Sequence, residues 1–131
     1  MSNKPEKNIE QFIREDGRFP LEAVQFVREA LHHAVEKYHP DPSGPSGQRH
    51  VSGAQLCEGI REVAMKRWGL MARPVLHRWN ITTTRDFGEI VFLLVSNGWL
   101  QKESSDNIDD FNDVYDFAEV FEHSFEMPLG D

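Results

Sequence analysis

Arg61, Lys66, Arg67, Arg73, Arg78 and Arg85 fall within residues 61–85, where Glu62 is the only acid, a local net of +5. Guanidinium and ammonium groups at such density suit phosphate, because they neutralise charge and donate hydrogen bonds to its oxygens. Arg61, Arg67, Arg73, Arg78 and Arg85 are therefore the candidate phosphate contacts, for non-specific nucleic-acid binding. A solvated helical surface carries the same charges without any ligand. The two readings differ in space: either these arginines gather on one open face, or they scatter into pairs with local acids.

A second constellation lies at the other end of the charge scale. Asp106, Asp109, Asp110, Asp113, Asp116, Glu119, Glu122 and Glu126 are interleaved with Ile108, Phe111, Val114, Tyr115, Phe117, Val120, Phe121 and Phe125. Solubility alone does not call for that many aromatics. Either the rings dock on the body, or they offer apolar anchors to a basic protein partner while the acids steer it. The division expected is docking up to Phe117 and a partner site over residues 120–125. Phe121 and Phe125 are its anchors and Glu119 and Glu122 its acidic rim. Four residues apart, the two rings share one face of a helix. Calcium is not expected, since a loop starting at Asp106 lacks the central Gly and terminal Glu of an EF-hand.

Other reactive side chains form weaker patterns. His32, Glu36 and His39 share roughly one helical face and have ligand types for zinc, and His50 could join them. No H-E-x-x-H spacing supports a metal, and solvent-facing histidines are the simpler account. Cys57 falls on the apolar side of its helix, where a thiol behaves as a small hydrophobe. The segment PSGPSGQRH lacks the Lys-Ser/Thr ending of a phosphate loop. No catalytic residue, cofactor or metal site is assigned, and the chain reads as a non-enzyme.

Composition bounds the rest. The chain has 131 residues, one Cys, nine Phe and three Trp, enough for a single domain with a real core and no internal disulfide. Its formal charge is −8, but residues 1–102 hold all 14 Lys and Arg against 12 acids, while residues 103–131 hold ten acids and no Lys or Arg. The body is nearly neutral and the tail strongly acidic. MSNKPEKNIEQF has no apolar run, so no secretion signal is expected. The longest apolar run, Ile90–Val95, is too short to cross a bilayer. A cytoplasmic protein without membrane contact is the expectation.

Periodicity then places the elements. Ile9, Phe12 and Ile13 give a short helix ending near Asp16-Gly17, and Leu21 to Tyr38 has a sustained 3.6 period. HPDPSGPSGQRH, residues 39–50, is a mobile linker by composition. Ser52 caps a helix reaching Trp68 or Gly69, with Gly59 inside it at a close helix contact and Leu70 folding back after the Gly69 cap. A short helix from Met71 to Trp79 comes next, with Pro74 in its first turn. Asn80 and Ile81 turn the chain, and Thr83 with Asp86 caps a long central helix that Asn97-Gly98 stops. Leu56, Ile60, Leu76, Trp79, Phe87, Ile90, Val91 and Leu94 are expected in one core.

Beyond that point the pattern is ambiguous. Trp99-Leu100-Gln101-Lys102 alternates like a strand, and Val114–Phe117 could return antiparallel to it as a β-hairpin. A final helix from Asp110 to Phe121 competes with that reading. Helix, short helix, turn, long helix and hairpin is the order of a winged-helix domain. The fold class expected is thus mainly α, with a winged-helix-like C-terminal half and a small β-hairpin. Its divisions are residues 9–38 (N-terminal helices), 39–50 (linker), 51–117 (body) and 118–131 (acidic tail).

In that geometry the start of the long helix would enter the DNA major groove. It offers Asp86, Gly88 and Glu89 beside Arg85, and carboxylates there are repelled by phosphate rather than suited to base edges. Sequence-specific DNA reading is therefore not expected.

The stretches RFPLEAVQFVREAL, HVSGAQLCEGIREVAMKRWG, DFGEIVFLLVSNGWL and DDFNDVYDF, taken together and in that order, resemble a family of small uncharacterised bacterial proteins found in planctomycetes, verrucomicrobia and related bacteria. The resemblance spans roughly Ile9 to Phe117. It implies a cytoplasmic protein and brings no activity, cofactor or catalytic residue to transfer. The leading functional expectation is a non-enzymatic protein-interaction module with a protein partner of unknown identity. The alternative is a nucleic-acid-associated or regulatory protein using the basic face of residues 61–85.

Overall fold

The computed structural model describes residues 8–41, 50–100 and 106–123. Five α-helices carry the architecture: α1 Ile9–Asp16, α2 Leu21–Tyr38, α3 Gly53–Trp68, α4 Ala72–Arg78 and α5 Thr84–Ser96. Local chemistry sets most of their ends. Asn8 Oδ1 accepts from the Gln11 backbone N–H at 2.7 Å to start α1, and Gly17, at φ 78°, ends it in a left-handed turn. Ser52 and Gln55 form a reciprocal cap on α3: Gln55 N donates to Ser52 Oγ at 3.1 Å, and Ser52 N donates to Gln55 Oε1 at 2.9 Å. Asp86 does the same service for α5, its Oδ2 accepting from Thr82 N and Thr83 N at 2.9 and 3.2 Å.

The longest helices, α2 and α3, lie against each other through small residues. A methyl group at Gly59 would stand 3.0 Å from Ala34 Cβ and 3.3 Å from the Ala30 carbonyl oxygen. That closeness accounts for a glycine mid-helix, where it otherwise costs up to ~1 kcal/mol relative to Ala. The core then runs from Ile13 on α1 through Val24, Val27, Ile60, Leu76, Phe87, Ile90 and Leu94 to Phe121. Trp79 and Val91 are half-buried at its margin. Phe26, Trp68 and Trp79 form an aromatic cluster where α2, α3 and α4 meet, with ring centroids 4.9 to 5.7 Å apart.

The winged-helix-like half is corrected by the structure. Among the described residues there is no strand, so the fold is mainly α without a wing. Gln101 and Lys102, the end of the expected first strand, lie outside the described residues. The expected second strand is not one either, for a local reason before it and a tertiary one at its start. Asn107 and Asp110 form a capping box, with Asp109 N donating to Asn107 Oδ1 at 2.9 Å and Asn107 N to Asp110 Oδ2 at 3.1 Å. This winds Ile108–Phe111 into a 3-10 turn. Asp113 then takes a left-handed conformation, φ 50°. Buried Thr84 clamps the backbone on either side of it. The Thr84 hydroxyl donates to the Phe111 carbonyl at 2.6 Å and accepts from Val114 N at 3.1 Å. The Val114 N–H, the first donor of the expected strand, is thereby taken by a side chain. The competing helix over residues 110–121 is absent as well, replaced by a short π turn at Glu119–His123.

Candidate functional site

The arginines of residues 61–85 scatter into pairs with acids. Arg61 reaches Glu58 one turn back on α3. Arg67 crosses to Glu29 on α2 and lies over the Phe26 and Trp68 rings, 5.7 and 5.6 Å from their centroids. Arg73 on α4 binds Glu122 of the tail. Arg85 bridges Glu89 at 3.2 Å and Asp109 at 2.7 Å, and also donates to Asn112 Oδ1 at 3.0 Å. Arg78 is exposed and makes no ion pair among the described residues. Asp86 is occupied as a cap, and Glu89 is shared between Arg85 and Arg18, the latter at 2.9 Å. These contacts hold the Arg61 and Arg85 guanidinium groups in their charged form, chiefly through Glu58 and Asp109 respectively. A phosphate would have to displace an acid at four of the five candidate positions.

The acidic-aromatic tail divides differently from the expectation. Phe111, Phe117 and Phe121 are all buried, and Phe121 has no exposed surface. It packs edge-on against Phe117 at 5.2 Å and Tyr115 at 6.0 Å, while Phe117 stacks on Phe87 of α5 at 5.6 Å. Phe121 is therefore a core residue and not a surface anchor. The paired-ring partner site is corrected on this point, because the chain turns Phe121 inward while leaving Glu119 and Glu122 exposed. Phe125 lies outside the described residues.

The remaining candidates separate. His32 stands 3.5 Å from Glu36 on the exposed face of α2. His39 turns instead to the carbonyl oxygen of His50, 2.6 Å away, and His50 Nε2 lies 3.0 Å from Asp106 Oδ1. His32, Glu36 and His39 thus do not converge, and no group of three or more metal-ligating side chains is present among the described residues. Cys57 is fully buried, and that burial pushes its thiol up to about 12, so it is protonated at neutral pH and inert as a nucleophile. Tyr115, raised by its own burial, donates its hydroxyl to the Cys57 carbonyl oxygen at 2.7 Å. That bond ties the tail to α3.

One surface feature has no counterpart among the sequence-based expectations. Leu70 and Met71, in the 3-10 turn Gly69–Met71 between α3 and α4, are 54% and 60% exposed. Leu70 does not fold back: Gly69, at φ 55°, redirects the chain so that the side chain projects outward. Leu70, Arg73, Pro74, His77 and Glu122 line a shallow groove here. Glu122, expected at a partner site, stands on its rim through the ion pair with Arg73.

Comparison with known proteins places no family on this geometry. No family model matches the chain. It is 47% identical over 51 residues to the mouse protein described as "Presequence protease, mitochondrial", a match covering 39% of this chain. The chain spans only 4% of the length of that protein. No solved structure matches.

Proposed function

We propose that this chain is a small, cytoplasmic, non-enzymatic protein-interaction module whose contact surface centres on Leu70 and Met71. The carrying observation is the exposure of these two adjacent side chains in a described body that otherwise packs its large apolar residues into the core or against its margin. Single exposed apolar residues are ordinary, whereas neighbouring ones beside a groove and a polar rim have the anatomy of a contact surface. Leu70 and Met71 supply deformable apolar area, Pro74 a rigid edge, and Arg73 with Glu122 a charged border that selects orientation. The partner that suits this surface carries a small apolar ridge flanked by a cation to meet the Glu122 side of the rim.

The pairing of Arg61, Arg67, Arg73 and Arg85 with acids favours this reading over nucleic-acid contact. The inert state of Cys57 is in keeping with a role that involves no covalent chemistry.

Photo-crosslinking in the native cytoplasm tests the proposal, with the photoreactive group at Met71 and, as control, at Gln25 on the exposed face of α2. A discrete crosslinked product from position 71 alone, lost on Leu70→Ser with the melting temperature unchanged, is expected. Products that do not differ between the two positions would overturn it.

A further inference from the structure

Between α2, α3, α5 and the Ile108–Phe111 turn lies a pocket of about 170 Å³. Native interiors hold few voids larger than a water molecule, and an apolar cavity of about 150 Å³ is enough to take up benzene. Leu31, Val35, Leu56, Val91, Val95 and Phe111 line its apolar part. Phe92 meets Phe111 edge-to-face, centroids 6.5 Å apart, so one wall is aromatic. This pocket is separate from the Leu70–Met71 surface, and a ligand bound in it would be independent of the proposed function.

The polar lining gives the pocket a sign. His50, Ser52, Asp106, Asn107 and Asp110 stand together on its border. Their hydrogen-bonding capacity is partly committed: Ser52 Oγ and Asn107 Oδ1 accept from the backbone of their own caps. His50 Nε2 faces Asp106 Oδ1 at 3.0 Å. Asp110 accepts from Asn107 N through Oδ2 alone, at 3.1 Å, which leaves its other carboxylate oxygen available. The uncommitted Asp110 oxygen on this border disfavours an anion and favours a hydrogen-bond donor that carries positive charge.

We propose that this pocket binds a small primary amine with an apolar body about the size of one aromatic ring. The body fills the space between Leu31, Val95 and Phe111, and the ammonium group meets Asp110 at the border. A short fatty acid has a comparable apolar part and the wrong charge.

The full chain is titrated with 2-phenylethylamine, ethylbenzene and phenylacetate, followed by calorimetry and by methyl NMR shifts. The amine is expected to saturate the protein, to bind at least ~10-fold more tightly than phenylacetate, and to shift the methyls of Leu31, Val35, Leu56, Val91 and Val95 but not that of Val24. Val95→Phe, which fills the pocket, should abolish binding. Asp110→Asn keeps the capping acceptor and should weaken the amine by ~5-fold or more while leaving ethylbenzene unchanged. If Val95→Phe does not fold, the wild-type shift map and Asp110→Asn decide. Failure of the amine to saturate by about 10 mM, equal binding of phenylacetate, or shifts centred outside these methyls would overturn the proposal.

Discussion

Phe111 lies so close to Gly88 that a methyl group on that glycine would stand 2.7 Å from the ring's Cγ and Cδ2 and 2.9 Å from Phe111 Cβ. Gly88 is buried within α5, and Phe111 ends the 3-10 turn that precedes the expected second strand. The absence of one side chain is therefore what lets the segment after residue 106 dock on the long helix.

Gly88→Ala should destabilise the protein even though alanine is the better helix former. Helix propensity would contribute up to ~1 kcal/mol in favour of the variant. Forcing a methyl into the Phe111 ring costs ~1–3 kcal/mol, because the atoms it meets include Phe111 Cβ, close to the backbone, and not only the end of a flexible chain. A net loss of about 1–2 kcal/mol in urea unfolding is expected. A gain in stability would show that the turn yields freely and does not depend on the glycine.

Phe121→Ala should cost ~3–5 kcal/mol, since the ring is fully buried against Phe117 and Tyr115. Thermal melting reads this directly, and a fall of several degrees is expected. Glu119→Ala, on the exposed side of the same turn, serves as the control and should leave the midpoint nearly unmoved. Equal midpoints for Phe121→Ala and wild type would mean that the tail is not part of the cooperative core.

Acid should weaken the fold partly through Glu89 and Glu62. The Arg18 hydrogen bond, assisted by Arg85 and opposed by burial, holds the Glu89 carboxyl below its ordinary value of 4.5. For Glu62, burial is the largest single influence and acts upward, but Lys37 and His33 together outweigh it, so that carboxyl also falls below 4.5. A depressed folded-state pKa contributes stability that is present above the unfolded value and lost as pH falls through the folded one. The window is therefore from about pH 4.5 downward. Glu89→Gln removes one such contribution, ~0.2–1 kcal/mol for a partly exposed pair such as Arg18–Glu89. Its melting temperature should drop less than that of wild type between pH 7 and pH 3. Parallel curves for the two proteins would assign no linkage to Glu89.

Sequence alone was sufficient for the five α-helices and much of their chemistry. Capping is local, so Ser52 at the start of α3 and Thr83 with Asp86 at the start of α5 were legible from their immediate neighbours. Gly59 was readable as a close contact because nothing else accounts for a glycine at that point of a helix. The helical period likewise identified Leu56, Ile60, Leu76, Phe87, Ile90 and Leu94 as buried, since one face of each helix has to leave water.

Tertiary structure decided what happens after α5 and where the charges go. A short alternating run such as Val114–Phe117 suits a strand, yet Thr84, thirty residues upstream of Val114, takes the Val114 N–H that a strand partner would use. The amphipathic spacing of Phe121 and Phe125 could not say which side faces solvent, because that depends on whether Phe117 and Tyr115 already occupy the surface beneath. The arginines of residues 61–85 look like a basic face only while their partners are unseen. Glu29, Asp109 and Glu122 lie 38, 24 and 49 residues from the arginines they neutralise. An ion pair acts through distance in space, and only the folded chain sets that distance.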